Sequence, residues 1–322
     1  MLTTDVPQRR DVHVQPSLGS GILDRVGNTP LIRIDGLDGR SHDVEVLGKA
    51  EWANPGGSVK DRAAKAIVLD GIERGLIGSG KKKHLLDATS GNTGIAYAML
   101  GAALGFPVTL VMPSNVSPER KQILAAYGVQ IVWTDAADGT DGAICKAREM
   151  ASSHPDEYWY ADQYSNDNNW RAHYDTTANE IWHQTEGRVT HFVAGLGTSG
   201  TFVGTTRRLK ELNLQIQCIS LEPDSPFNGL EGLKHMETAM VPHIYDAHLA
   251  DRKMVIETEA AYEMARRLAR ENGLMVGISA AAAVAASKRV ATECAEKNEK
   301  AVIVTVLCDS ADKYLSERFW QE

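Results

Sequence analysis

The chain alternates short β-rich apolar runs with longer stretches of helical patterning. The runs predict strands over 44–50, 85–88, 108–112, 130–134, 191–194, 217–221 and 301–306. Between them the patterning predicts helices over 60–74, 93–104, 118–127, 142–152, 170–184, 201–212, 259–271 and 280–296. Strand and helix alternating at this spacing argue for an α/β fold with mostly parallel sheets covered on both faces. Residues 1–20 are polar and aperiodic and read as a poorly packed arm. No repeat of 20–50 residues is present, and the Ala-rich helix after Ser279 is the one biased block. Pro155 and Asp156 give a weak break, but no Pro/Gly linker separates two halves. In such folds ligands collect beyond the carboxyl ends of the strands, so the loops after strands are the place to look for chemistry.

Composition narrows the function classes. The 322 residues, 43% hydrophobic and 24% charged, suit about two domains with ordinary cores. A net charge of −8 argues against a nucleic-acid footprint or a polybasic membrane anchor, and Lys81–Lys83 is too short a run to alter that. The longest apolar stretch, about 95–106, is interrupted by two glycines and falls short of the roughly 18 residues a membrane span needs. Asp5, Arg9, Arg10 and Asp11 precede any apolar run, unlike a secretory signal. Cys145, Cys218, Cys294 and Cys308 lie far apart, with neither metal-ligand spacing nor a disulfide framework. The expectation is a cytoplasmic protein with reduced thiols and no bound metal.

Three glycine-rich loops are candidate phosphate sites. Gly75 to Lys81 begins like a Walker loop, but Lys82 replaces the magnesium-binding hydroxyl and the loop follows a helix instead of a strand. Gly195-Leu-Gly197-Thr-Ser-Gly200 follows a strand, opens a helix and is trailed by Glu222, which suits a dinucleotide fingerprint. Its hydroxyls, on Thr198, Ser199 and Thr201, equally suit a single terminal phosphate at a helix N-terminus. Thr89-Ser90-Gly91-Asn92-Thr93-Gly94 also joins strand to helix and can converge on a carboxylate or phosphate. A simple helix cap needs one such residue and not a run of them. Two anion cups imply a ligand with two anionic groups. Lys60, in Gly56-Gly-Ser-Val-Lys60-Asp-Arg62, opens a predicted helix, where the macrodipole and Arg62 both disfavour its charge. That setting suits an amine nucleophile or Schiff-base lysine.

The motifs Val26-Gly-Asn-Thr-Pro-Leu31, Asn54 to Arg62, Thr89 to Gly94, Gly197 to Thr201, Gly277-Ile-Ser279 and Asp309-Ser310-x-x-Lys313-Tyr314-Leu315 occur in this order. Together they resemble the cysteine synthase/cystathionine β-synthase family of fold-type II pyridoxal-phosphate enzymes, over about residues 21–318. The resemblance implies two three-layer α/β domains of the tryptophan synthase β type: an arm over 1–20, a larger domain from 21–53 and 166–322, and a smaller one over 54–165. It implies that Lys60 carries pyridoxal 5'-phosphate and that Gly197, Thr198, Ser199, Gly200 and Thr201 hold its phosphate. Asn92 would meet the ring hydroxyl and Ser279 the pyridine nitrogen. Thr89, Ser90, Gly91, Thr93 and Gln163 would grip the amino-acid carboxylate. The loop Gly229–Met236 departs from the acetylserine pattern, and Lys234 within it could meet a phosphate leaving group.

The chemistry so implied is β-replacement on O-acetylserine or O-phosphoserine, through an α-aminoacrylate, with sulfide or a related thiol donor, giving L-cysteine in a homodimer. Cystathionine β-synthase and diaminopropionate-type synthases are variants of the same chemistry. A nicotinamide oxidoreductase would use Gly195–Gly200 and Glu222 but leave Lys60 and Thr89–Gly94 idle. A non-catalytic binding relative would have no need of Lys60, Asn92 and Ser279 together.

Overall fold

A computed structural model describes residues 21–37 and 43–320. The arm over 1–20 lies outside the described residues. In chain order the strands are β1 (Leu31–Arg33), β2 (Val44–Ala50), β3 (His84–Ala88), β4 (Val108–Pro113), β5 (Gln130–Thr134), β6 (Tyr158–Tyr160), β7 (His191–Gly195), β8 (Gln217–Pro223), β9 (Arg252–Ile256) and β10 (Ala301–Leu307). The α-helices are α1 (Lys60–Glu73), α2 (Asn92–Leu104), α3 (Pro118–Tyr127), α4 (Gly139–Ser153), α5 (Asp167–Ala172), α6 (Ala178–Gln184), α7 (Gly200–Leu212), α8 (Thr258–Asn272) and α9 (Ile278–Glu296).

Two sheets form. One has six strands in the order β1-β2-β10-β7-β8-β9, all pairs parallel except β1 with β2. The other has four parallel strands, β5-β4-β3-β6. The expected α/β class with mostly parallel sheets is the class observed. The central strands β4 and β10 are buried at every position, as strands covered on both faces must be. The Ala-rich α9 packs flat on the six-stranded sheet because its small side chains allow close approach; residues Ile278 to Ser287 are all buried. Tyr97, Met99 and Leu100 of α2 fill the core of the four-stranded sheet with Leu85 and Leu110.

All seven predicted strands and all eight predicted helices are present, with ends moved by a few residues. Three further strands escaped the pattern. β1 and β6 have three residues each, too few to show a period, and β9 is an edge strand burying only Met254 and Ile256. The predicted helix over 170–184 starts earlier, at Asp167, and is interrupted by a π-turn at His173–Thr177. There α7 presses close: a Cβ on Gly204 would lie 1.9 Å from the Trp170 carbonyl oxygen.

Candidate active site

The carboxyl ends of β3, β7 and β10 face one cavity. It is lined by Lys60, Thr89, Ser90, Gly91, Asn92, Thr93, Gln163, Gly197, Thr198, Ser199, Thr201, Lys234 and Ser279. Residues spread over some 220 positions of sequence, singled out for separate reasons, therefore converge. Gly200, the remaining one, opens α7 directly behind the loop.

The loop Leu196–Ser199 has a form that glycine dictates. A Cβ on Gly197 would lie 2.2 Å from the Gly232 carbonyl oxygen, and one on Gly200 would lie 2.0 Å from Asn169 Oδ1. Ser199 caps α7 in the left-handed region, φ +68, which turns successive backbone N–H groups toward one point. Its hydroxyl is buried without a partner. Thr201 Oγ1 lies 3.3 Å from His173 Nε2. Burial pushes His173 down to about 3, so the ring is neutral. An orphan hydroxyl, free N–H groups and no nearby carboxylate in the loop fit a phosphate. The dinucleotide alternative loses its acid: Glu222 Oε2 accepts from the Met236 N–H at 2.8 Å and so ties down Gly229–Met236.

Lys60 begins α1 at the cavity wall. The preceding loop is fastened at three points. The Val59 N–H donates to the Cys308 carbonyl at 2.8 Å, Lys313 Nζ donates to the Gly57 carbonyl at 2.7 Å, and Asp61 Oδ2 accepts from the Gly56 N–H. Burial raises the Asp61 carboxyl to about 7 against that last hydrogen bond. One expectation needs correction. Arg62 does not confront Lys60; it turns away to pair with Glu51 Oε2 at 2.7 Å and Glu180 Oε1 at 2.6 Å. Burial would raise the Glu180 carboxyl, but Arg62 and Lys49 hold it far below the usual range. The cluster, with Lys49 at 2.7 Å from Glu180, staples β2, α1 and α6 together beneath the lysine loop.

The Thr89–Thr93 loop is held from inside. Thr89 Oγ1 accepts from the Gly91 and Gly94 N–H groups at 3.1 and 3.3 Å. Thr93 Oγ1 donates to Gln163 Oε1 at 2.7 Å, and Gln163 Nε2 donates to the Ala88 carbonyl at 2.8 Å. Ser90 stays partly exposed at the cavity. Asn92 Nδ2 donates to Asp309 Oδ2 at 2.7 Å, while Asn92 Oδ1 is buried without a partner. Ser279 sits in the first turn of α9 and lines the same cavity. The orphaned Asn92 Oδ1 and Ser199 hydroxyl are polar atoms that a ring hydroxyl and a phosphate would complete in the cavity that Lys60 lines, so the residues fit pyridoxal phosphate.

Arg120, Glu231, Tyr314 and Cys308, to which the sequence assigns no site role, also line the cavity. Arg120 is buried, pairs with Glu231 and lies over the Tyr314 ring, its Cζ 4.7 Å from the ring centre. Burial pushes the Cys308 thiol up to about 11. Lys234 lines the cavity too, but it is paired with Asp141 at 2.6 Å and lies over the Tyr164 ring. Among the described residues no helix is long and apolar enough to cross a membrane, and no cluster of metal-binding side chains occurs.

The chain is similar to several known proteins. The chain is 52% identical over 303 residues to a cysteine synthase of Aquifex aeolicus (strain VF5), covering 94% of this chain and 92% of that protein. Among solved structures, O-ureido-L-serine synthase superimposes with a TM-score of 0.86 at 34% identity, covering 94% of this chain and 96% of the other. O-acetyl serine sulfhydrylase isoform 3 from Entamoeba histolytica superimposes with a TM-score of 0.85 at 34% identity, covering 100% and 95%. The model of the pyridoxal-phosphate dependent enzyme family matches residues 22–309. With that match over most of its length and a relative 52% identical, the chain belongs to the pyridoxal-phosphate dependent enzymes.

Proposed function

We propose that this enzyme replaces the β-substituent of an activated serine with sulfide or a related thiol, forming L-cysteine. The observation that carries the reading is the convergence on one cavity of Lys60, the phosphate loop over 197–201 and the hydroxyl-rich loop over 89–93. The cysteine synthase and O-acetyl serine sulfhydrylase relatives support the same reaction.

The residues divide the work. Gly197 to Thr201 hold the cofactor phosphate, Lys60 holds the cofactor covalently, and Asn92 and Ser279 fix its ring. When bound, the cofactor supplies an electron sink that acidifies the Cα proton of an amino acid. Thr89, Ser90, Gly91 and Thr93 hold the donor's carboxylate with Gln163, which orients Cα toward Lys60. The Lys60 amine, set free when the substrate's amino group takes its place on the cofactor, removes the Cα proton. Ser279 offers the ring nitrogen a neutral hydroxyl, a weaker aid to charge delocalisation than a carboxylate, which favours prompt loss of the β-substituent. Residues 54–165 carry Lys60 and the carboxylate loop and act as the substrate-facing part of the molecule.

Lys234 gives the leaving-group side a cation within the cavity wall. A phosphate brings about −2 near neutral pH, and an ester of acetate brings no charge. The test is cysteine formation by holoenzyme from sulfide with O-acetylserine, O-phosphoserine or serine. Turnover with an activated serine is expected. Lys234→Ala is expected to lower kcat/KM for O-phosphoserine by about tenfold or more beyond its effect on O-acetylserine, the size of one charge-assisted contact. No cysteine from any donor, or product only with homocysteine or an amine as nucleophile, would overturn the reading. Equal losses with both donors would remove Lys234 from the leaving-group side.

A further inference from the structure

Arg120 is the one buried cation of the cavity with no part in the chemistry above. It stands in the first turn of α3, and its side chain is 3% exposed. Its counter-ion is Glu231, which belongs to the loop between β8 and β9, 111 residues away in sequence. The rest of its surroundings is incomplete. Tyr314 gives one face a ring, yet Nε is buried and has no hydrogen-bond partner. That nitrogen lies directly under the carboxylate loop: a Cβ on Gly91 would be 2.5 Å from Nε and 2.8 Å from Cδ. A buried N–H without an acceptor costs free energy and is rare unless a ligand completes it.

Glu231 differs from Arg120 in its hold on the site. Its side chain is 32% exposed. Burial raises its carboxyl above the usual range despite Arg120, and Asp309 and Glu317 push the same way. It is therefore a partly exposed anion that its surroundings disfavour, facing a buried guanidinium. Lys234 and Asp141 repeat the arrangement three residues on, with the cation now on the Gly229–Met236 loop. This loop thus closes the cavity through two ion pairs of opposite sense.

We propose that Arg120 is an anion receptor for the α-carboxylate of the amino-acid substrate, and that Glu231 is the stand-in anion that a substrate carboxylate displaces. The inference rests on the reading of residues 89–93 as the carboxylate loop. Arg120 adds the full positive charge that hydroxyls and backbone N–H groups alone do not supply, and displacement of Glu231 couples substrate arrival to release of the loop over 229–236. No covalent step is involved; one carboxylate replaces another at the guanidinium.

The experiment is calorimetric titration of holoenzyme, with cofactor retention checked by absorbance, using L-serine and its carboxylate-free counterpart ethanolamine. Glu231→Gln removes the competing charge and is expected to tighten serine several-fold while leaving ethanolamine unchanged. Arg120→Met is expected to weaken serine at least about tenfold with little effect on ethanolamine, the size of a lost charge-assisted hydrogen bond. Unchanged serine affinity in Glu231→Gln, with its folding checked by circular dichroism, would overturn the proposal, as would equal weakening of both ligands in Arg120→Met. If the unsubstituted enzyme binds serine no tighter than ethanolamine, the carboxylate-loop reading itself fails, a distinct result from the failure of Arg120 alone.

Discussion

Ser199 holds a left-handed backbone conformation that costs a non-glycine residue on the order of 1–3 kcal/mol, and its buried hydroxyl has no partner among the described residues. Such strain persists only where the neighbours impose it, here Gly197 under the Gly232 carbonyl and Gly200 against Asn169. Thr198 and Thr201 border the same point. Thr198→Ala combined with Thr201→Ala is expected to weaken cofactor binding by roughly 1.5–3 kcal/mol for each hydrogen bond lost, with little change in urea stability of the apoprotein. Equilibrium dialysis reads the first quantity and denaturation the second; retention equal to the parent's would place the phosphate elsewhere. These residues were legible in the sequence because the loop is contiguous and its hydroxyls follow a strand. Arg120 and Glu231 were not legible, since neither belongs to a local motif and their meaning arises only when α3 and the β8–β9 loop meet. Arg62 shows the converse error: adjacency to Lys60 suggested repulsion, but helix geometry points it at Glu51 and Glu180.

The helices and strands were legible wherever they were long enough to show a period, and the exceptions have local causes. The break between α5 and α6 comes from a tertiary neighbour. Gly204 of α7 lies so close to the preceding segment that an added methyl would sit 1.9 Å from the Trp170 carbonyl oxygen and 2.9 Å from the His173 Cβ. Backbone cannot yield as a flexible side chain can. Gly204→Ala is expected to destabilise the fold by about 1–3 kcal/mol or more, read as a lower urea midpoint with unchanged slope. Because His173 meets Thr201, the same variant should also loosen the cofactor. A variant as stable as the parent would show that the helix–turn contact is not a constraint. Breaking the buried staple by Glu180→Gln leaves Lys49 and Arg62 with one fewer anion, and buried pairs broken in this way typically cost about 3–5 kcal/mol.

At the scale of the whole molecule, two sheets offer their carboxyl ends to one cavity, which is why loops that follow strands, read apart in the sequence, line it together. The stability of that arrangement should depend on pH through Asp87 at the end of β3. Burial raises its carboxyl to about 8, against the Ala88 and Gln163 N–H groups that donate to it and with Asp162 adding to the rise. In the folded chain Asp87 keeps its proton to near pH 8, whereas in the unfolded chain it loses it near pH 4. The native state therefore binds more protons across that window, and the contribution is complete below about pH 4 and fades as pH rises toward 8. Asp87→Asn should flatten the fall in urea stability between pH 5 and 8; an unchanged slope would show that Asp87 ionises normally. The central claim concerns Lys60, and its most direct measurement is peptide mass analysis of holoenzyme after borohydride reduction, which fixes a lysine-bound cofactor in place. One phosphopyridoxyl group is expected, on the peptide containing Lys60 and absent in Lys60→Ala. A modified peptide elsewhere, or an unmodified chain that still turns over an activated serine, would contradict it.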